Sequence, residues 1–177
     1  MKIKQQQGSQ VDHMVRQSRS QLTQLSSMAD MKANMLLTIT SVVITLSVRY
    51  IADPHLKWAI SVLIVFCLLT IGFATYAVIP KVPLSFKKRQ VTDIRAPSFN
   101  LLFFGDFVHL PYKEFETAME EVMNDLNLTY QVQVREMYTH GTFLAKKKYR
   151  CLRLAYISFF IGAFASAFVG LYSGVLS

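Results

Sequence analysis

Side chains capable of covalent chemistry are present in this chain, but they are not grouped. Glu114 with Glu116 and Glu120 with Glu121 form two carboxylate pairs on one stretch of helical periodicity, which also needs a solvated face. General acid–base work would require such a pair to converge on one reacting atom. The four histidines, His13, His55, His109 and His140, are scattered over different segments. The two cysteines, Cys67 and Cys151, lack the paired spacing of a zinc site and read as apolar fillers. There is no glycine-rich phosphate loop, no GxSxG elbow and no HExxH helix. The expectation is therefore a protein without catalytic residues, metal or cofactor, acting on something other than a covalent bond.

Two further patterns are polar or small residues at helical spacing inside apolar surroundings. Asp30, Asn34, Thr38, Ser41 and Thr45 recur every three or four residues and form one stripe. In hydrocarbon such groups face partners or water, so the stripe either lines a pore or bonds to neighbouring helices. Ser and Thr can also satisfy themselves on their own helix backbone. Ser158, Gly162, Ser166, Gly170 and Gly174 form an unbroken small-xxx-small ladder, which lets backbones approach closely. It serves contact between copies, or packing against the first or second apolar helix.

The elements that carry these patterns are three apolar runs, 33–48, 58–79 and 155–176, none containing a charge. The second and third make helices of about 33 Å at 1.5 Å per residue, against a hydrocarbon core of about 30 Å. The first is shorter, but Tyr50 and Ile51 lengthen it past Arg49, whose stem can snorkel. The composition agrees, with 52% hydrophobic and 17% charged residues. Of the 19 Lys and Arg, only Arg49 and Lys57 lie between the first two runs, and none follows the third. With three crossings the other 17 share one side, which the positive-inside rule makes cytoplasmic. The first run follows a polar leader without a cleavage signal and reads as a span.

The expected architecture is an all-α membrane protein with three transmembrane helices, a helical cytoplasmic region and the N-terminus inside. Residues 1–29 form an amphipathic helix with the seam Val11, Val15, Ser18, Leu22, Leu25 and Ala29, packing on another cytoplasmic helix or lying on the membrane. Transmembrane helices follow at 30–51 and 58–79, joined by an outer loop, 52–57, with Asp53-Pro54 as its turn. Residues 80–153 are cytoplasmic: a linker, 80–110, and a long helix, 111–150, with Pro111 in its first turn. Phe115, Met119, Val122, Leu126, Tyr130, Met137, Gly141 and Leu144 give that helix its seam, with Gly141 a place to bend. The third transmembrane helix is 154–176.

The basic residues of this side, including Lys81, Lys87, Lys88, Arg89, Lys146, Lys147, Lys148, Arg150 and Arg153, suit anionic headgroups and the stop before the third span. No fold for binding nucleic-acid polymers is visible. Arginine beside aromatic rings is also what a small, flat, anionic ligand requires, a guanidinium for phosphate and a ring face for a base.

Four segments carry a family resemblance. They are Ala29-Asp30-Met31-Lys32-Ala33-Asn34-Met35-Leu36-Leu37, then Phe103-Phe104-Gly105-Asp106-Phe107, then 138–141, then Lys148-Tyr149-Arg150-Cys151-Leu152-Arg153-Leu154-Ala155-Tyr156. In this order around three apolar runs, over roughly residues 20 to 172, the chain resembles the Pycsar transmembrane effectors. The resemblance implies antiphage defence: a partner pyrimidine cyclase makes cyclic CMP or cyclic UMP on infection, and the effector senses it. It then impairs the bacterial inner membrane, and the cell dies before phage are released.

The resemblance supplies no ligand-binding residues, so the candidates are physical. Phe103, Phe104 and Phe107 could stack the base while Arg95, Arg135 or Arg150 meets the phosphate; Asp106 could instead pair with an Arg and close the structure. Asn34, Thr38, Ser41 and Thr45 are candidates for a pore or interhelical stripe, and Ser158, Gly162, Ser166, Gly170 and Gly174 for packing in a homo-oligomer. Two rival functions stand beside this one: a constitutive or stress-gated channel, and a membrane scaffold that recruits a partner through helix 115–144.

Overall fold

A computed structural model describes residues 9–79 and 99–175, and every element among them is helical. The basic stretch at 80–98, with Arg95, lies outside them. The helices are α1 (Ser9–Val48), α2 (Lys57–Val78), α3 (Phe104–Phe107), α4 (Tyr112–Asn124), α5 (Leu126–Phe143) and α6 (Arg150–Val175), with a π-helical turn at Leu144–Tyr149. Three helical stretches are long and apolar enough to cross a membrane: Gln10–Val48, Lys57–Val78 and Leu126–Ser173. The chain divides into two compact units, residues 1–24 with 80–142 and residues 25–79 with 143–177.

In the second unit α2 and α6 pack on each other through small residues. A Cβ added to Gly162 would collide with Cβ of Phe66, and one added to Gly170 would touch Cβ of Ala59 at 3.6 Å. Ser158 of the same ladder is buried. At these positions the ladder therefore serves packing inside one chain, because Phe66 and Ala59 fill the space another copy would need. Helix α1 joins the pair through Ala29, Ala33 and Leu36, spaced by four and three; Ala29 and Ala33 pack on Leu152, and Leu36 on Ala74 and Ala155. Thr40 and Thr70 are buried at no cost in lost bonds, since their hydroxyls donate to Leu36 O at 2.6 Å and Phe66 O at 2.8 Å.

No Gly or Pro interrupts residues 9–48, so α1 runs without a break across the boundary drawn at 29/30. It ends at Val48; Arg49 to Leu56 turn, so Tyr50 and Ile51 do not lengthen it. Asp53 shapes that turn by accepting the N–H of His55 at 2.9 Å. The Arg49 guanidinium lies over the Tyr50 ring at 4.7 Å and stays exposed.

The first unit has its own core: Phe99, Leu101, Ala118, Val122, Leu128 and Val132, with Leu102, Leu110, Phe115 and Met119 against it. The long helix expected at 111–150 is not continuous. Asp125 is extended, at φ −119° and ψ 107°, and its carboxylate accepts the N–H groups of Asn127 (2.9 Å) and Leu128 (3.3 Å). That makes Asp125 the N-cap of α5. Thr129 Oγ1 donates back to Val122 O at 2.5 Å and ties the two helices together. The break resets the seam, leaving Leu126 53% exposed and burying Leu128 and Val132. The second irregularity is the π-helical turn, not a bend at Gly141, where an added Cβ would meet Leu22 at 3.6 Å.

Candidate functional site

The aromatic patch begins where the backbone leaves the core. Asn100, 3% exposed, accepts the N–H of Leu102 on Oδ1 (3.2 Å) and donates Nδ2–H to Glu136 Oε2 (2.5 Å). Its own N–H is taken by Asp106 Oδ2 at 2.9 Å. Arg135, one residue before Glu136 on α5, donates to Phe99 O at 2.9 Å. Asn100 thus joins the loop to α3 and to α5, and burial makes each bond costly to lose. Asp106 takes part in closing the loop, here through a backbone N–H.

Phe103 and Phe104 hold their rings 5.0 Å apart at 48°, and Phe107 packs on Phe115 at 5.1 Å and 42°. Gly105 is needed because a Cβ there would sit 2.5 Å from the Phe103 ring. Phe107 is thereby committed to the core side, while Phe104 remains half exposed. Of the expected ligand residues, the structure brings Phe103, Phe104, Phe107 and Arg135 into one unit. Arg150 is exposed and belongs to the other. In the same unit as the patch, Tyr130 donates its hydroxyl to Asp12 Oδ1 at 2.8 Å and fastens the start of α1 to α5. That bond, then burial and the carboxylate charge, hold the Tyr130 hydroxyl above its usual pKa.

The polar stripe of α1 lies in the second unit. Thr38 donates to Asn34 O (3.0 Å), Ser41 to Leu37 O (2.8 Å) and Thr45 to Ser41 O (2.9 Å). These three side chains and Asn34 are exposed, so the stripe does not bond to α2 or α6. The same open face of α1 carries Ser27, Asp30, Asn34 and Thr38 alongside Met31, Met35 and Ile39. Each hydroxyl spends its proton on its own helix and keeps lone pairs facing outward.

Sequence reasoning missed one arrangement here. The Lys148 ammonium lies 2.7 Å from both Asp30 oxygens and 2.9 Å from Ser26 Oγ, with its side chain 10% exposed. By spacing alone Asp30 belongs to the polar stripe and Lys148 to a basic run. The available signal was charge scarcity: between Asp12 and Asp53 the sequence holds one acid, Asp30, and beyond Glu136 it holds none. Tyr149 and Tyr156 add hydroxyl bonds to Leu25 O (3.1 Å) and Lys32 O (3.5 Å). Among the described residues no cluster of His, Cys, Asp and Glu could hold a metal ion.

These features describe a helical protein with three stretches long and apolar enough to cross a membrane, the first of which carries exposed polar groups along one face and a half-buried ion pair near the start of its apolar run. The chain belongs to the Pycsar effectors: the family model PycTM, described as a Pycsar effector protein domain, matches residues 13–174, nearly its full length. No curated protein and no solved structure matches it.

Proposed function

We propose that this protein is the membrane-acting effector of a Pycsar antiphage system, responding to cyclic CMP or cyclic UMP from a partner pyrimidine cyclase. On binding it impairs the inner membrane and causes abortive infection. The observation that carries this reading is the family match over 13–174 on a chain with three helices long enough to span a bilayer. The N-terminus and 80–153 face the cytoplasm in this proposal, supported by 17 of 19 basic residues on that side. The chain needs no cofactor and performs no covalent chemistry; its output is a change in permeability.

Three helices of one chain do not enclose an aqueous path, so permeation requires several copies. Because Gly162 and Gly170 face α2, the outward stripe of α1 is the better supported lining or contact. The half-exposed Phe104 ring supports the aromatic patch as the place where the base stacks, with Arg135 of the same unit as the candidate phosphate contact. A ligand shifts such an equilibrium only by its differential affinity for the closed and open arrangements.

The test is purified protein in dye-loaded liposomes, with each cyclic nucleotide added in turn. Release with a cyclic pyrimidine nucleotide and not with cyclic AMP supports the proposal. Release regardless of nucleotide, or under tension alone, assigns a channel, and no release under any condition leaves a scaffold.

A further inference from the structure

We propose that the Asp30–Lys148 ion pair is an autoinhibitory latch, holding α1 against the helix that begins at the π-helical turn and keeping the resting protein closed. This rests on the permeability reading above and adds the contact that restrains it. Three observations carry it.

The first is the bond set. The Lys148 ammonium donates to Asp30 Oδ2 at 2.7 Å and to Ser26 Oγ at 2.9 Å, and Asp30 Oδ1 lies 2.7 Å away as its ion-pair partner, buried and without a hydrogen bond of its own. The second is the backbone. Leu144–Tyr149 is a π-helical turn, with Leu144 and Lys148 buried inside it. Single π turns are rare and concentrate at functional positions, and this one seats Lys148 where it meets Asp30. The third is the absence of any substitute. Lys146, Lys147, Arg150 and Arg153 are exposed around Lys148, while the unit contains one other acid, Asp53, at the opposite end of α1. Separating the pair therefore leaves five cations within eight residues, and Asp53 is the unit's one other acid among the described residues.

The neighbouring apolar contacts are Ala29 and Ala33 on Leu152, with Val78, Tyr149 and Tyr156 against them, and Leu36 on Ala74 and Ala155; two tyrosine hydroxyls on backbone carbonyls lie beside them. The pair is only half-buried, with the Asp30 side chain 38% exposed, and such a pair is weak evidence for stability. What it adds is a contact that one charge change can break.

The experiment compares four variants in the same dye-loaded liposomes without nucleotide, at equal incorporated protein. Asp30→Asn keeps the side-chain shape and Lys148→Met keeps much of its length. Each is expected to raise resting release at least tenfold. The charge swap Asp30→Lys with Lys148→Asp is expected to return release to within twofold of wild type. The apolar pair Asp30→Leu with Lys148→Met is expected to stay tight and to ignore nucleotide. Resting release at the wild-type level from Asp30→Asn overturns the latch, and so does a swap that leaks as much as the single variants. Release by Asp30→Asn from a protein whose wild type ignores every cyclic nucleotide supports the latch and sinks the ligand reading alone. No release from any variant overturns both.

Discussion

Replacing Gly162 by Ala places a methyl group against the root of the Phe66 side chain. The new carbon would overlap Phe66 Cβ and lie 2.9 Å from Cγ and 3.6 Å from Cα. Carbon atoms pack at about 3.5–4.0 Å, so the Cγ contact alone calls for about 0.6 Å of separation and the Cβ contact for more. Phe66 cannot clear this by changing rotamer, because Cβ does not move with χ1. The helices α2 and α6 must part locally, and a gap of about 0.5–1 Å forfeits about a quarter to a half of each atom pair's attraction. Overpacking of this kind costs about 1–3 kcal/mol. At roughly 2–4 °C per kcal/mol for a chain of this size, the Tm in detergent falls by about 2–12 °C. Gly170→Ala and Gly72→Ala are the controls: the first meets Ala59 at an ordinary 3.6 Å, and the second meets nothing within 4 Å. Both should melt at or slightly above wild type, since Ala favours helix over Gly. Gly162→Ala melting at the wild-type temperature, or Gly170→Ala falling as far, would refute this account of the α2–α6 contact.

Asn100→Ala strands the Glu136 carboxylate and the Leu102 N–H, costing about 1–3 kcal/mol, and Asn100→Asp costs more by setting a second carboxylate against Glu136. Thermal melts at neutral pH should rank wild type, Ala, Asp, with the Asp variant partly recovering on acidification; an Asp variant as stable as wild type contradicts the role given to Asn100. The raised pKa of Tyr130 means that the folded state favours the neutral phenol, so its contribution is complete below roughly pH 10 and is lost as pH rises through the folded value. Wild type should therefore lose melting temperature more steeply than Tyr130→Phe above roughly pH 10, and parallel curves would remove the Asp12 bond from the argument. Thr38→Leu with Ser41→Leu should abolish nucleotide-dependent dye release while the protein still inserts; undiminished release would leave the stripe without a role in permeation.

The three apolar stretches were legible because hydropathy over twenty residues is insensitive to register, and three helical stretches long and apolar enough to cross a membrane are present. The small-residue ladder was legible as a contact, but not as to its partner, since Gly162 looks the same to a neighbouring helix and to a neighbouring chain. The helix break at Asp125 was hidden by a heptad-like rhythm that continued through Leu126. A capping aspartate decides such a case by two backbone bonds, and hydrophobic spacing does not register them. The Phe103–Phe107 patch was found by composition, yet its organiser, Asn100, has no periodicity to announce it. A buried amide is specified by what surrounds it in space, and Glu136 is 36 residues away.

The same distinction separates the helices of the second unit by how each is held. α2 and α6 meet through Gly162 against Phe66 and Gly170 against Ala59, contacts that admit no gradual loosening because a fraction of an ångström removes much of their attraction. α1 is attached differently. Besides the packing of Ala29, Ala33 and Leu36, it is held by an ammonium on a carboxylate and two tyrosine hydroxyls on backbone oxygens. Water and lipid headgroups can replace such polar bonds, whereas neither reproduces the close glycine packing of the α2–α6 pair. On the proposed function, α1, which also bears the exposed polar stripe, is the helix whose contacts a signal would exchange, and the Asp30→Asn release measurement is the direct check of that assignment.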